Sequence, residues 1–225
     1  MPEPKRFLLP LIFLTSAALS AQTAAGSIQA TGTVTLNVNP DQVQLSLSVI
    51  TTASTASQAA QQNAAQTNAL ITALNQVLGQ AGNIQTVGYT LYPQYGNSAN
   101  PSIVGYTVSN SLQVTTTVLS LAGSLIDAAN QAGASNIGGL SFGLQNPDPT
   151  VQQALAAAAK QALAHAGAIA SGLGAKAGAV ISAQQNASVT PLPGSATPAA
   201  AASTPVLTGT VGVSATVTVT TALSQ

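Results

Sequence analysis

The constraint that shapes this chain most is a strict period of two. In residues 33–39, Val34, Leu36 and Val38 alternate with Thr and Asn. In residues 43–49 the apolar set moves to odd positions: Val43, Leu45, Leu47 and Val49. Residues 103–118 place Tyr106, Val108, Leu112, Val114, Thr116 and Val118 on one face, with Asn110 as its polar exception. Residues 207–220 put Val211, Val213, Ala215, Val217 and Val219 inward and a Thr/Ser ladder outward. Successive strand side chains point to opposite faces, so such alternation calls for sheets with one face buried and one wet. The parity switch at Pro40-Asp41 needs a turn or bulge, so the first two runs read as two strands, a hairpin or one bent strand. Residues 84–95 read as a strand too. With residues 103–118, across a Gly/Asn/Pro-rich turn, they make an antiparallel hairpin. Residues 137–144 and 180–188 complete the strands.

Three segments change to a helical period. From Ser54 to Leu78 the stripe is Ala56, Ala60, Ala64, Leu70 or Ile71, Leu74, and Val77 or Leu78. Ser54 or Ser57 can cap its start and Gly79 or Gly82 its end. A short helix over residues 120–131 turns Leu121, Leu125, Ile126 and Ala129 inward and stops at Gly133. The third opens at Asp148-Pro149, with Asp148 as the capping residue, and ends at Gly172 and Gly174. Its stripe runs Val151, Leu155, Ala158, Ala162, Ala166, Ile169 and Leu173, with Lys160 opposite. The order β-β-α-β-β-α-β-α-β-β predicts an α+β fold, an antiparallel or mixed sheet with helices packed on one face.

Charge excludes whole classes of function. Charged residues make up 4% of the chain and the net charge is zero, against roughly 25% charged in an average protein. Beyond the N-terminal segment only Asp41, Asp127, Asp148, Lys160 and Lys176 are formally charged. Neutralising several phosphates takes a Lys/Arg cluster, so nucleic acid is not a partner. A near-neutral surface repels its own copies weakly, which favours a homo-oligomer. There is no cysteine, hence no disulfide, thiolate metal site, Cys nucleophile or lipid-modified Cys anchor.

Residues 1–21 have the layout of a secretory signal peptide. Lys5 and Arg6 precede the apolar run 7–14, and Ser16, Ala17, Ala18, Ser20 and Ala21 follow, with cleavage expected after Ser20 or Ala21. The apolar run is too short for a membrane anchor. Residues 22–29 read as a linker and 30–221 as one α+β domain, interrupted by a Pro/Ala-rich loop at 189–205. No other apolar run reaches spanning length, and three Ala-rich helical segments argue against a transmembrane barrel. The expectation is an exported protein of the periplasm or outer envelope, not integral to a membrane once processed.

Several segments, in order, carry a family resemblance. They are Val38-Asn39-Pro40-Asp41, Ile84-Gln85-Thr86, Leu91-Tyr92-Pro93-Gln94-Tyr95 and Ile103-Val104-Gly105-Tyr106. Leu125-Ile126-Asp127-Ala128, Gly133-Ala134 and Ile137-Gly138-Gly139-Leu140-Ser141-Phe142 follow, then the Ala-rich helix ending near Gly174. Over residues 30–221 the chain resembles the SIMPL-domain family, which includes bacterial periplasmic immunogenic and oxidative-stress-defence proteins. The resemblance implies an exported α+β envelope protein, a link to oxidative-stress defence, and ring-like or channel-like oligomers. It supplies no catalytic residues. The chain departs from the family pattern in its scarcity of charge and in the Pro/Ala-rich loop.

No constellation of residues points to catalysis or to a cofactor. His165 is the only histidine and sits at the flank of its helix's apolar stripe, without partners for base or metal chemistry. Asp41 reads as a turn residue, and Asp127 as bonded to a neighbouring loop or facing solvent. No Gly-x-Ser-x-Gly elbow or phosphate loop is present. With no Cys and only Met1 as methionine, oxidant defence could act only indirectly. Tyr92, Tyr95 and Tyr106, on the central hairpin, are the candidate ligand platform. The leading expectation is a non-enzymatic protein acting by binding or self-assembly. The alternative is a ligand-binding module using a groove beside the Tyr-bearing hairpin. An enzyme is the weakest reading.

Overall fold

The computed structural model describes residues 26–97, 99–192 and 204–224. The predicted signal peptide 1–21, residues 22–25 of the predicted linker, and residues 193–203 of the Pro/Ala-rich loop lie outside the described residues; Ser27, Ile28 and Gln29, expected in the linker, are instead paired in the first strand.

The elements follow the predicted order: β1 (Ser27–Val38), β2 (Gln42–Ala53), α1 (Ala56–Leu78), β3 (Gly82–Tyr95), β4 (Ile103–Thr116), α2 (Ala122–Gln131), β5 (Asn136–Gly143), α3 (Asp148–Gly172), β6 (Lys176–Leu192) and β7 (Thr210–Ser224). A short 3-10 turn, Leu119–Leu121, precedes α2. The strands divide between two antiparallel sheets, one ordered β1-β7-β6 and the other β3-β4-β2-β5. β1 and β2 are therefore not a hairpin. The chain leaves one sheet at Val38 and enters the other at Gln42, and the parity switch at Pro40-Asp41 marks that passage. The predicted β3–β4 hairpin is present.

In the four-stranded sheet, α1 joins β2 to β3 and α2 joins β4 to β5. With the strand order β3-β4-β2-β5 this is the split β-α-β arrangement of ferredoxin-like units. Leu45, Leu47 and Val49 of β2, Leu112 and Val114 of β4, Leu70, Leu74 and Leu78 of α1, and Leu125 and Ala129 of α2 close its core.

The early half of α1 turns a different face inward than its alanines predict. Ala59, Asn63 and Thr67 are buried in line with Leu70, Leu74 and Leu78. The Leu positions fix the rotation, and polar side chains are admitted because each finds a partner. Asn63 Nδ2 donates to Val49 O at 2.9 Å and Thr67 Oγ1 to Asn63 Oδ1 at 3.4 Å. Asn110 Nδ2 donates to Thr67 Oγ1 at 3.4 Å and Thr51 Oγ1 to Ala59 O at 2.8 Å. The polar exception on β4 thus belongs to a hydrogen-bonded column between helix and sheet. Thr55, rather than Ser54 or Ser57, caps α1 by accepting from Gln58 N. Gly79, at φ 55°, ends it as expected.

The three-stranded sheet packs α3 against one face. The buried stripe is Ala154, Ala158, Ala162, Ala166 and Ala170, one residue in four, while Leu163, Ile169 and Leu173 stay exposed. Close approach explains why the larger residues were excluded. A methyl added to Gly32 of β1 would lie 2.2 Å from Ala158 O and 2.5 Å from Ala162 N. Backbone nearly touches backbone there, and only alanine fits the contact line. Asp148 is not the cap. It is the first helical residue, its N–H donates to Asn146 Oδ1 at 3.2 Å, and the capping residue Pro147 makes no side-chain bond.

Several strand boundaries also move: β1 starts at Ser27, β6 at Lys176 and β7 only at Thr210. β6 continues past Ser188, pairing Val189–Leu192 with Val213–Thr210, so the excursion leaves the sheet only after Leu192. β4 stops at Thr116, and Val118 is exposed rather than inward.

Candidate functional site

Three of the few ionisable side chains, Asp41, Asp127 and His165, hold segments together. Asp41 lies where the chain passes between the sheets. Its N–H donates to Gly143 O at 3.0 Å, and its Oδ1 accepts from Gln145 N at 2.6 Å. One residue thus ties the β1–β2 passage to the β5–α3 passage. Asp127 of α2 accepts from Thr204 N at 3.1 Å and Thr204 Oγ1 at 2.5 Å, the bond to a neighbouring loop that was one of its two readings. His165 is exposed on α3, its Nδ1 lying 2.8 Å from Thr31 O. A carbonyl only accepts, so Nδ1 carries the hydrogen. Asp148 is exposed. Among the described residues no three His, Asp or Glu side chains gather as metal ligands would.

All four tyrosines lie on β3 and β4, as the sequence indicates: Tyr89, Tyr92 and Tyr95 on β3, Tyr106 on β4. The register does not join them into one platform. Tyr92 pairs with Thr107, whereas Tyr106 pairs with Pro93, so Tyr92 and Tyr106 project to opposite faces. Tyr106 is half-buried, whereas Tyr92 is 49% and Tyr95 59% exposed. A cleft of about 300 Å³ opens at the other end of the same strands, lined by Gln42, Gln80, Asn83, Thr115, Thr117 and Gln145 among others. A second, of about 240 Å³, lies between β5 and the ends of β6 and β7, where Phe142, Pro191 and Leu207 meet. No tyrosine lines either cleft.

The three-stranded sheet presents a different surface. Away from α3, three hydroxyl pairs cross from β1 to β7: Thr31 with Thr218 at 3.0 Å, Thr33 with Thr216 at 3.1 Å, and Thr35 with Ser214 at 2.8 Å. The two edges of this sheet are unequal. On β1, α3 covers backbone groups: Thr33 N donates to Gln161 Oε1 at 2.8 Å, and Thr31 O accepts from His165. β6 is exposed along its length except at Ala187, and Lys176 is its only charged residue. Sequence reasoning missed this asymmetry. Alternation marks a strand as half-buried but says nothing about which strand lies at an edge.

The family model for SIMPL, described as a protein of unknown function (DUF541), matches residues 28–221. The chain is similar to 26 kDa periplasmic immunogenic proteins of Brucella melitensis and Brucella abortus, each 29% identical over 165 residues. That match covers 71% of this chain and 66% of each relative, just under two thirds of the relatives' length.

Proposed function

We propose, on the premise that this chain belongs to the SIMPL family, that it is a non-enzymatic periplasmic protein acting by self-assembly. The similar Brucella proteins named as periplasmic support the compartment. The observation that carries the assembly reading is the open edge of β6. Natural edge strands are usually shortened, charged, bulged or covered. β6 has 17 residues. Its bulges fall between Ala177 and Ser182, and Pro191 lies near its end. Between them it runs in regular register from Ser182 to Thr190 without a charge. Antiparallel addition of a second β6 along this stretch would join two three-stranded sheets into one. Any part in oxidative-stress defence would then be indirect, since the chain lacks Cys and holds methionine only at Met1.

Light scattering of the purified protein at micromolar concentration tests this reading. The expected mass is a multiple of the protomer. Gln184→Lys with Val189→Lys, placing charge on the exposed strand, should return it to one protomer. A wild-type protein that is strictly monomeric overturns the proposal.

A further inference from the structure

The end of the β3–β4 hairpin is built differently from the rest of the molecule. β2 stops at Ala53, opposite Tyr106. Beyond that point β3 and β4 pair only with each other, Gln94 with Gly105 and Tyr95 with Ile103. α1 begins at Ala56 and runs back toward Leu78, so it does not cover the projecting ribbon. Large apolar side chains nevertheless crowd there. Tyr95 is 59%, Ile103 49% and Val104 61% exposed, with Leu91 and Tyr92 just behind them. Clustered exposed apolar residues on a soluble domain mark an interaction site.

Two observations choose the partner. First, strand addition is obstructed on β3. Val87 is a bulge residue on β3, and Pro93 removes an N–H, which leaves Gly88–Tyr92 as the regular stretch between them. A second copy or an extended peptide would find a ladder only five residues long, set back from the tip. Second, the tip carries no charge. From Gln42 through Ser124 to Ile126 there is no Asp, Glu, Lys or Arg. Asp41 lies just beyond the opposite end of β2, roughly 40 Å from Ala53 at about 3.3 Å per residue. Burial of this end in an apolar medium therefore desolvates no ion. Tyrosine beside aliphatic residues is the composition that settles at a bilayer interface, rings in the acyl boundary and hydroxyls among headgroups.

We propose that the projecting β3–β4 ribbon, through Tyr95, Ile103 and Val104 with Leu91 behind them, docks the protein on the interface of a lipid bilayer. Attachment is by apolar insertion, so it needs no anionic lipid. This surface is separate from the β6 edge, and a failure of either leaves the other intact.

The protein carries its own probe, because it has no tryptophan and all four tyrosines lie on this hairpin. Protein purified after export is mixed with phosphatidylcholine vesicles and sedimented, and tyrosine emission is recorded with brominated phosphatidylcholine. The expected result is co-sedimentation unchanged between low and high salt, together with quenching by the brominated lipid. Tyr95→Ser with Ile103→Ser and Val104→Ser, in the same form and with unchanged circular dichroism, should weaken partitioning at least tenfold. Absence of vesicle binding overturns the proposal, as does binding that the triple variant retains. A variant that alters only the mass seen by light scattering would assign the ribbon to a second copy, and so also overturns it.

Discussion

Gly32→Ala should be among the most destabilising single-methyl changes this protein can suffer. The new Cβ would stand 2.2 Å from Ala158 O, 2.5 Å from Ala162 N and 2.9 Å from Gln161 Cβ. The first two are helix backbone and cannot rotate aside. Relief requires α3 to retreat from β1 by on the order of 1 Å, and a gap of that size forfeits up to about half of each dispersion contact along the seam. The buried stripe Ala154, Ala158, Ala162, Ala166 and Ala170 would loosen together, and the bonds from Gln161 and His165 to β1 would stretch. Overpacking of a rigid contact costs about 3 kcal/mol. For a protein of this size that lowers Tm by roughly 6–12 °C. Thermal unfolding followed by far-ultraviolet circular dichroism measures it. Gly139→Ala in β5, where an added Cβ meets nothing within 4 Å, is the control and should stay within about 0.5 kcal/mol of wild type. Adding Ala158→Gly should not rescue the Gly32 variant, because the obstruction is a carbonyl and not a side chain. An unchanged Tm, or rescue by Ala158→Gly, would refute the account of how α3 meets the sheet.

Three further outcomes follow from the same structure. Asn63→Ala removes the donor to Val49 O inside the four-stranded unit and leaves a small void, so urea unfolding should show a loss of about 2 kcal/mol. Gly167→Ala lies inside α3 with nothing within 4 Å of its added Cβ. Its higher helix propensity should raise stability by about 0.5–1 kcal/mol in the same assay. Asp127→Ala removes both bonds from Thr204. At this partly solvated site it should cost about 1 kcal/mol and speed amide hydrogen exchange at Thr204, while circular dichroism stays the same.

Periodicity disclosed the elements and their order because each strand buries one face, as Val211, Val213, Ala215, Val217 and Val219 do on β7. It could not disclose that β1 and β2 belong to different sheets. Strand pairing is a long-range property, and two half-buried strands look alike whichever partner they take. Helix faces were misjudged where hydrophobicity was a poor guide. Asn63 and Thr67 are buried because Val49 O and Asn110 lie opposite, and those partners are remote in sequence. Ile169 and Leu173, expected inward, are exposed because the alanine stripe that meets β1, closest at Gly32 more than a hundred residues earlier, sets the rotation of α3. The tyrosines were located on the correct hairpin. Their separation onto two faces depended on the pairing of Tyr92 with Thr107 and of Tyr106 with Pro93, which only the register reveals.

The placement of β7 between β1 and β6 has a consequence for how the chain acquires its structure. Thr31 and Thr218 face each other across 187 positions of sequence. β1 therefore waits for β7, and closing so long a loop makes this a high-contact-order sheet that forms slowly. The ferredoxin-like unit needs nothing beyond Gly143 and can condense earlier. Folding should then proceed in two stages, with the C-terminal strand as keystone. A polypeptide truncated before Thr210 would keep the four-stranded unit and lose the other sheet entirely, with β1 left unpaired. Late closure of this kind keeps a polypeptide unfinished, and so threadable, until β7 has appeared.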